Sequence, residues 1–334
     1  MTKILETIDA ETLMTTPFAP IDFLIQGLLA EGLHILAGAP KIGKSWLSLW
    51  ICLRVSQGKK VWDFETKQCS VLYLCLEDNF SRIQNRLFQI TDDAPSTLHF
   101  ATMCGAIGQG LEEQILNFIE TEKNTRIIVI DTLQKVRTAP TSNTNLYAND
   151  YEDINALKKI ADKNKLAIVL VHHLRKSKDS DPLNMISGTS GISGAADSNF
   201  VLQKDNRTAN TAQLICTGRD IEDLVLPLEL NKDSCVWELL SPVALREKKV
   251  DPLLFILCDY IKSVGHFIGT ATELAEQLKT QTDTEITPSV LKKKIVQHMD
   301  FIVQNEILYS DKRNFKRREF TLTYQANDGN DGMT

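Results

Sequence analysis

The sequence predicts an α/β fold with a mostly parallel central sheet, followed by a smaller C-terminal α+β domain. Three observations lead to this prediction. Short apolar segments alternate with helical patterns up to about residue 240, a glycine-containing run joins the first of these segments to the first helix, and further helices follow a charged stretch near residue 245. Short apolar runs without alternation are typical of strands that are buried on both faces of a parallel sheet.

Four apolar runs are predicted to be the parallel strands, with helical patterns between them. The strands are "GLHILA" (32–37), "VLYLCL" (71–76), "RIIVI" (126–130) and "AIVLV" (167–171). The helices are predicted at 45–58, 79–90, 111–122 and 149–164. The alternation of strands with helices indicates a layered domain with right-handed crossovers. Several closely spaced strands at 199–240 are predicted to extend one edge of the sheet in the antiparallel sense.

A second domain is predicted after a linker. Helical patterns at 252–264, 270–279 and 287–302 precede two strand patterns that flank a basic turn. Three helices followed by a hairpin are typical of a winged helix, a variant of the helix-turn-helix. The predicted organisation is an extended N-terminal arm (1–20), the α/β domain (21–241), the linker (242–251), a winged-helix-like domain (252–325) and a disordered tail (326–334).

The composition excludes several classes of protein. Contents of 43% apolar and 24% charged residues are ordinary for a globular protein. We find no apolar run of about 18 residues and no secretory leader pattern, which argues against a membrane span. Seven cysteines without paired spacing indicate a reduced, cytoplasmic protein. The net charge of −6 is uneven, because 311–320 has five basic and two acidic residues. This run fits a nucleic-acid contact or a solvated hairpin.

The run "GAPKIGKS" at 38–45 fits the phosphate-loop pattern G-x-x-x-x-G-K-[ST]. Gly38 and Gly43 allow the backbone to turn its N–H groups toward phosphate oxygens. Lys44 is predicted to reach the β- and γ-phosphates and Ser45 to bind Mg²⁺. A glycine turn with a surface lysine is the alternative. The predicted nucleotide-binding residues are Gly38, Ala39, Pro40, Lys41, Ile42, Gly43, Lys44, Ser45 and Trp46.

Two carboxylates follow neighbouring strands of the predicted sheet. Asp131 ends the apolar run 126–130 and is predicted to bind Mg²⁺ through water, because the carboxyl ends of parallel strands lie beside the phosphate loop. Its alternative role is to cap the next segment. Glu77 follows the preceding strand and is predicted to orient or deprotonate the attacking water. It could instead be a helix cap, although Asp78 is the better candidate for that.

The order of these motifs resembles the RecA-like ATPase core. A phosphate loop, Glu77, Asp131 and then "VLVHH" follow one another as in that superfamily. The stretch "GLHILAGAPKIGKS" and the paired histidines resemble the RepA-like plasmid helicases of the AAA_25 type, which are related to hexameric DnaB-type helicases. The resemblance covers about residues 15–240. Glu77 separates the chain from AAA+ and ABC ATPases, whose catalytic Glu directly follows the metal-binding Asp, whereas here Thr132 does.

The resemblance implies ATP and Mg²⁺ as the ligands, and it implies further site residues. His172 or His173 would sense the γ-phosphate and signal to the DNA-facing loop. A metal site or a hydrogen-bonded structural pair is the alternative for these histidines, although no cluster with ligand spacing surrounds them. Arg219 in "LICTGRDIED" would be an arginine finger that acts on the neighbouring subunit, or else a surface charge. Thr217 stands where relatives often carry a second cation, a Lys.

DNA contacts are implied in two segments. Residues 173–198 resemble the mobile loop of the family, in which Arg175, Lys176 and Lys178 would contact single-stranded DNA. Taken alone, this basic, turn-rich segment fits phosphate binding and disorder equally. The basic residues predicted to contact DNA in the C-terminal domain are Lys312, Arg313 and Lys316.

The C-terminal domain departs from minimal RepA-like helicases, which consist mostly of the core. It could bind duplex DNA at an origin, dock replication proteins or be a structural cap.

The resemblance implies a DNA-stimulated ATPase that forms a ring, with a hexamer expected, and acts as the helicase of a plasmid, phage or integrated element. One alternative is an ATPase switch or helicase loader that binds DNA without unwinding it. Another is a filament-forming recombination ATPase, in which the arm with Phe18 would mediate polymerisation. Stimulation of ATP turnover by single-stranded DNA and the separation of strands distinguish a helicase from a switch.

Overall fold

The protein is described by a computed structural model that covers residues 5, 7–137, 146–175, 179, 181–188, 190–204, 206, 209–242, 250–280, 286–314 and 317–325. Its contacts define two compact units. The larger unit is Ile21–Ala244, and the smaller unit combines Met1–Pro20 with Leu245–Thr334. The part of the predicted linker at 243–249 and the predicted tail at 326–334 lie outside the described residues.

The larger unit is built on one large sheet. Its strands are β3 (Gly32–Gly38), β4 (Ser70–Cys75), β5 (Leu98–Ala101), β6 (Thr125–Asp131), β7 (Ala167–His173), β8 (Ser198–Gln203), β9 (Thr211–Gly218), β10 (Leu224–Leu230) and β11 (Trp237–Leu239). They lie in the order β11-β10-β9-β8-β3-β7-β6-β4-β5. The strands β1 (Phe23–Ile25) and β2 (Leu29–Ala30) form a separate two-stranded sheet.

The strand directions confirm the predicted fold class. From β8 to β5 the neighbouring strands are parallel, whereas β9, β10 and β11 extend the sheet in the antiparallel sense. The edge strand β5 was not predicted from the sequence. Only its first residue, Leu98, is buried, so the strand lacks the apolar run that marks its neighbours.

Helices cover both faces of the large sheet. They are α2 (Lys44–Ser56), α3 (Phe80–Ile90), α4 (Leu111–Thr121), α5 (Leu133–Val136), α6 (Leu146–Asn164) and α7 (Ser190–Ala195), with a 3₁₀ turn at Pro182–Met185. One apolar core includes residues of α2 and α3, and a second core includes residues of α4, α5 and α6. The continuous apolar runs of the central strands are explained by this burial on two sides.

The N-cap of α3 differs from the prediction. Asn79 caps the helix by accepting a hydrogen bond from the backbone N–H of Arg82 at 2.9 Å. Asp78, which was predicted to be the better cap, instead forms ion pairs with Arg82 and Arg86. Asn and Asp are comparable N-caps, so the sequence could not decide between adjacent candidates.

The smaller unit contains the C-terminal elements in the order of a winged helix. They are α8 (Pro252–Val264), β12 (His266–Gly269), α9 (Ala271–Lys279), α10 (Pro288–Gln297), α11 (Met299–Gln304), β13 (Ile307–Asn314) and β14 (Arg317–Tyr324). The three strands form an antiparallel sheet in the order β12-β14-β13. Thr270 and Glu273 form the capping box expected at the start of α9. The predicted helix at 287–302 is divided into α10 and α11 at His298.

The sequence predicts an extended N-terminal arm, but part of this arm is helical. It contains a short helix, α1 (Ala10–Thr15), which packs against α10. Asp9 caps this helix by accepting hydrogen bonds from the backbone N–H and the hydroxyl of Thr12. The prolines at 17 and 20 follow the helix, and this is why the arm was interpreted as extended.

All seven cysteines are free thiols. Within the ranges that the structure describes, helices are too short or too polar to cross a membrane.

Candidate nucleotide site

The phosphate loop connects the carboxyl end of β3 to the start of α2, in the context that the motif requires. Gly43 has a φ of 107°, in the left-handed region that favours glycine. A Cβ atom at Gly43 would lie 2.9 Å from Nε1 of Trp237, and one at Gly38 would lie 2.9 Å from the carbonyl oxygen of Leu202. Both glycines of the motif are therefore required by the backbone and its close neighbours.

Lys44 is buried inside the loop. Its Nζ donates hydrogen bonds to the carbonyl oxygens of Gly38 at 2.8 Å and Ala39 at 3.0 Å. Burial lowers the pKa of Lys44 to about 8, although the nearby carboxylates of Asp131 and Glu77 oppose the shift. A partly desolvated ammonium gains from an anionic partner, and phosphate oxygens are such partners.

Asp131 at the carboxyl end of β6 lies beside Ser45 at the start of α2. The carboxylate of Asp131 accepts a hydrogen bond from the hydroxyl of Tyr73 at 2.9 Å and another from the Ser45 side chain. Burial raises the pKa of Asp131, and the charge of Glu77 acts in the same direction. A carboxylate beside a hydroxyl fits Mg²⁺, which takes few protein ligands and completes its shell with phosphates and water.

Glu77 lies at the end of β4, the strand next to β6. One of its carboxylate oxygens accepts a hydrogen bond from the hydroxyl of Thr132 at 3.3 Å. The backbone N–H of Leu76 donates to the carbonyl oxygen of Asp131, which fixes the two strand ends side by side. Glu77 and Asp131 therefore meet at one edge of the sheet, as the order of the motifs predicts.

These segments surround one cleft with a volume of about 270 Å³. Its lining residues are Lys41, Gly43, Lys44, Ser45, Trp46, Glu77, Arg86, Asp131, Thr132 and His173. The side chain of Ile42 packs against the apolar core instead of lining the cleft. Ala39 and Pro40 are exposed members of the loop. The cleft thus brings together residues from the phosphate loop, α2, α3, β6 and β7 that are far apart in the sequence.

The structure distinguishes between the two histidines at the end of β7. Successive strand residues point to opposite faces, so only His173 lines the cleft. His172 is buried, and its Nε2 hydrogen-bonds to the carbonyl oxygen of Ser187 at 2.9 Å. Among the described residues, no group of three or more acidic, His or Cys side chains could hold a metal ion, so a metal site at these histidines is not supported.

His173 is suited to donate a hydrogen bond into the cleft. Its Nδ1 lies 3.5 Å from Nζ of Lys44, and this contact favours the tautomer in which Nδ1 accepts and Nε2 carries the proton. Burial and the charge of Lys44 both lower the pKa of His173, which favours the neutral ring. The Nε2–H group is then available for a phosphate oxygen.

Arg86 is a cleft residue that none of the sequence motifs indicates. It lies on α3, where its guanidinium pairs with the carboxylate of Asp78 at 2.5 Å and stacks 5.3 Å from the ring centre of Trp46. Its side chain is only 20% exposed, whereas that of Arg82 on the same helix is 58% exposed. The spacing of Asp78, Arg82 and Arg86 by four residues was the available signal for a shared face.

Arg219 lies at the opposite edge of the sheet from the cleft. Gly218, which precedes it, pairs with Ser198 on β8, and Ser198 pairs with His34 on β3. The phosphate loop begins only at Gly38, about 13 Å further along β3 at roughly 3.3 Å per residue. The Arg219 side chain is 59% exposed. It therefore does not contribute to the cleft of its own chain.

The predicted DNA-contacting residues are described only in part. Arg175 follows β7, its backbone N–H donates to the carbonyl oxygen of Met185 at 2.7 Å, and its side chain is exposed. Lys312 and Arg313 lie on β13, opposite Glu319 and Arg318 of β14. Lys176, Lys178 and Lys316 lie outside the described residues.

The fold and the cleft define a P-loop ATPase with a RecA-like core. Residues 3–179, more than half of the chain, match the model of the AAA_25 family, which is described as an AAA domain. The chain belongs to this family, as the motif order predicted. A search of the curated proteins finds no match.

Solved structures with the same fold include an ATPase domain and a DnaB-like replicative helicase. The ATPase domain of G40P has a TM-score of 0.52 and 16% identity, over 63% of this chain and 85% of that one. A DnaB-like replicative helicase, studied with its primase interactions, has a TM-score of 0.53 and 16% identity, over 65% of this chain and 63% of that one. Identities this low show the shared fold alone.

Proposed function

We propose that the chain is a DNA-stimulated ATPase that assembles into a ring and moves along single-stranded DNA as a helicase. One observation carries the proposal. Lys44, Glu77, Asp131 and His173 share a cleft, while Arg219 lies at the far edge of the same sheet. A site of this kind is completed by a second subunit. The fold shared with a DnaB-like replicative helicase supports this interpretation.

The cleft residues have complementary tasks in this proposal. Lys44 and the backbone N–H groups of the phosphate loop bind the β- and γ-phosphates of ATP. His173 donates its Nε2–H to a γ-phosphate oxygen, and Glu77 orients the attacking water and accepts its proton. Mg²⁺, held by Ser45 and Asp131, would neutralise charge on the β- and γ-phosphates.

Arg219 would add a further positive charge to the cleft of the neighbouring subunit. Charge on the transferred phosphoryl group is stabilised by a guanidinium, and an arginine finger can come from a neighbouring subunit. Because Arg219 is exposed and distant from its own cleft, it fits this role only between subunits. A closed ring supplies every site with such a neighbour, and we propose a hexamer.

Two basic segments would contact nucleic acid in this proposal. Arg175, Lys176 and Lys178 follow β7 and would contact the backbone of single-stranded DNA. In the C-terminal unit, Lys312, Arg313 and Lys316 would contact duplex DNA, or the domain would dock a replication protein. We further propose that the protein is cytoplasmic and serves the replication of a plasmid, phage or integrated element.

Steady-state ATP turnover with Mg²⁺ tests the proposal, measured with and without single-stranded DNA over a series of salt concentrations. We expect strong stimulation that declines steeply as salt rises, because backbone contacts release counterions. The Lys44→Ala variant should fold and show no turnover under any condition. Turnover that is indifferent to DNA would contradict the translocase and favour an ATPase switch or helicase loader.

A further inference from the structure

Asp197 is a partly buried anchor at the edge of the sheet where Arg219 lies. It stands between α7 and β8, and its side chain is only 12% exposed. Its backbone N–H donates to the carbonyl oxygen of Leu33 at 2.7 Å, and its Oδ2 accepts from the Leu33 N–H at 2.9 Å. The same oxygen pairs with Nζ of Lys158 on α6 at 2.6 Å. Asp197 is thus fixed to the start of β3 and to a helix.

The turn that carries Arg219 is fastened to this anchor. The backbone N–H of Arg219 donates to the carbonyl oxygen of Asp197 at 2.8 Å. Its guanidinium lies 3.5 Å from Oδ1 of Asp197 and 3.4 Å from the carbonyl oxygen of Gly194. These side-chain contacts are long, and more than half of the arginine side chain remains exposed. These contacts therefore orient the guanidinium but leave it accessible to solvent.

Two glycines make this arrangement possible. A Cβ atom on Gly32 would lie 2.5 Å from Oδ2 of Asp197, and one on Gly218 would lie 2.7 Å from its carbonyl oxygen. The chain therefore passes on both sides of Asp197 without side chains between them. Such close approach of backbones is a typical reason for glycine in a strand.

We propose that Asp197 is the positioning residue for Arg219 in the reaction of the neighbouring subunit. This inference rests on the proposed function, in which Arg219 acts between subunits. A long arginine side chain loses much rotamer freedom when it binds a phosphate group in one orientation. A fixed carboxylate beside it already limits the orientations of the free side chain, so less conformational entropy is lost on binding. An exposed ion pair at 3.5 Å is weak, so the tether orients the guanidinium but still allows it to reach a phosphate.

The Asp197→Asn variant tests the proposal in the full-length protein. Asparagine keeps the shape and an oxygen for the N–H of Leu33, but it removes the charge beside Arg219. We expect kcat with single-stranded DNA to fall about tenfold, as for a modest misplacement of a catalytic group, with unchanged nucleotide affinity and KM. In the Arg219→Ala background the same change should have no further effect on the residual turnover.

The Lys158→Gln variant is the matched control, because it removes the other cation that pairs with Asp197. Its turnover should stay close to that of the wild type. If Lys158→Gln loses as much turnover as Asp197→Asn, Asp197 has only a structural role. The same conclusion follows if Asp197→Asn still lowers turnover in the Arg219→Ala background. Full turnover of Asp197→Asn beside a strongly impaired Arg219→Ala would overturn this inference alone. Full turnover of Arg219→Ala would instead overturn the proposed function on which it rests.

Discussion

Lys44 and Asp131 line one cleft, and burial shifts their pKa values in opposite directions. The pKa of Lys44 is lowered to about 8 and that of Asp131 is raised, because burial disfavours the charged form of each group. Their mutual attraction opposes both shifts without cancelling either. An anionic nucleotide with its metal ion would supply each group with a partner of opposite charge. At the scale of residues, the site is therefore arranged for a charged ligand.

The lowered pKa of Lys44 predicts how nucleotide affinity depends on pH. The ammonium form binds phosphate, and bound phosphate raises the pKa again, so binding above pH 8 requires the uptake of a proton. Affinity should be constant below about pH 8 and should then fall by up to about tenfold per pH unit. Titration with a fluorescent ATP analogue between pH 7 and 9.5 measures this. In Lys44→Arg, whose charge does not titrate in that range, the decline should disappear, and a flat wild-type profile would contradict the assignment.

Arg86 should be required for turnover, although no motif marks it. The Arg86→Ala variant removes the guanidinium beside Trp46, and we expect kcat/KM for ATP to fall about tenfold or more, as for the loss of a charged group at a phosphoryl-transfer site. Arg82→Ala is the matched control, since Arg82 pairs with the same Asp78 but lies outside the lining of the cleft. If both variants lose turnover equally, the pairing with Asp78 explains the effect, and Arg86 has no role in the cleft.

At the scale of elements, strands with a strong apolar signal were predicted well, and weak local signals were not. The apolar runs of β3, β4, β6 and β7 were predicted correctly because these strands are buried on both faces, and such burial requires an apolar composition. The short strands β5 and β12 have alternating or mixed burial and were missed. The helix α1 depends on the single cap at Asp9, and it lies in an arm whose prolines suggested an extended chain. Which histidine faces the cleft depends on strand register, which motif spacing does not fix.

The phosphate loop provides a prediction at this scale. The Gly43→Ala variant should destabilise the fold by about 1–3 kcal/mol, because a side chain there has strained backbone angles and meets Trp237. Nucleotide binding should be lost even where the protein stays folded. Thermal melts with and without ATP and Mg²⁺ measure both effects.

Gly27→Ala is the control for the strain alone. Gly27 also has a positive φ, but a Cβ atom there would meet nothing within 4 Å. We expect it to cost about 1 kcal/mol and to keep the stabilisation by nucleotide. Retention of nucleotide binding by Gly43→Ala would contradict the role assigned to the loop.

At the scale of the whole molecule, we propose that the larger unit hydrolyses ATP and that the smaller unit has a separate binding function. The core could be anticipated from the sequence, because its motifs occur in a fixed order along the chain. The grouping of the N-terminal arm with the C-terminal unit could not, since it depends on the packing of α1 against α10. The proposed contribution of a neighbouring subunit rests on the family resemblance of the segment around Arg219, and neither composition nor periodicity indicates it.

The three basic residues proposed to contact duplex DNA in the C-terminal unit should affect duplex binding more than catalysis. Replacing Lys312, Arg313 and Lys316 together with alanine should weaken duplex binding at every sequence. The slope of log affinity against log salt should decrease by about 3, close to one for each lost phosphate contact. ATP turnover with single-stranded DNA is the internal control and should be kept. If the slope is unchanged, these three residues belong to a solvated surface and do not contact DNA.

The most direct measurement of the central claim is ATP turnover by mixed subunits. Lys44→Ala should turn over no ATP by itself, and Arg219→Ala should keep only a small residual turnover. In rings formed from equal amounts of both, some sites combine an intact Lys44 with an intact Arg219 from the next subunit. Random mixing should restore roughly a quarter of wild-type turnover, since each site needs both partners. Turnover that in no mixture rises above the residual level of Arg219→Ala would contradict a site shared between subunits.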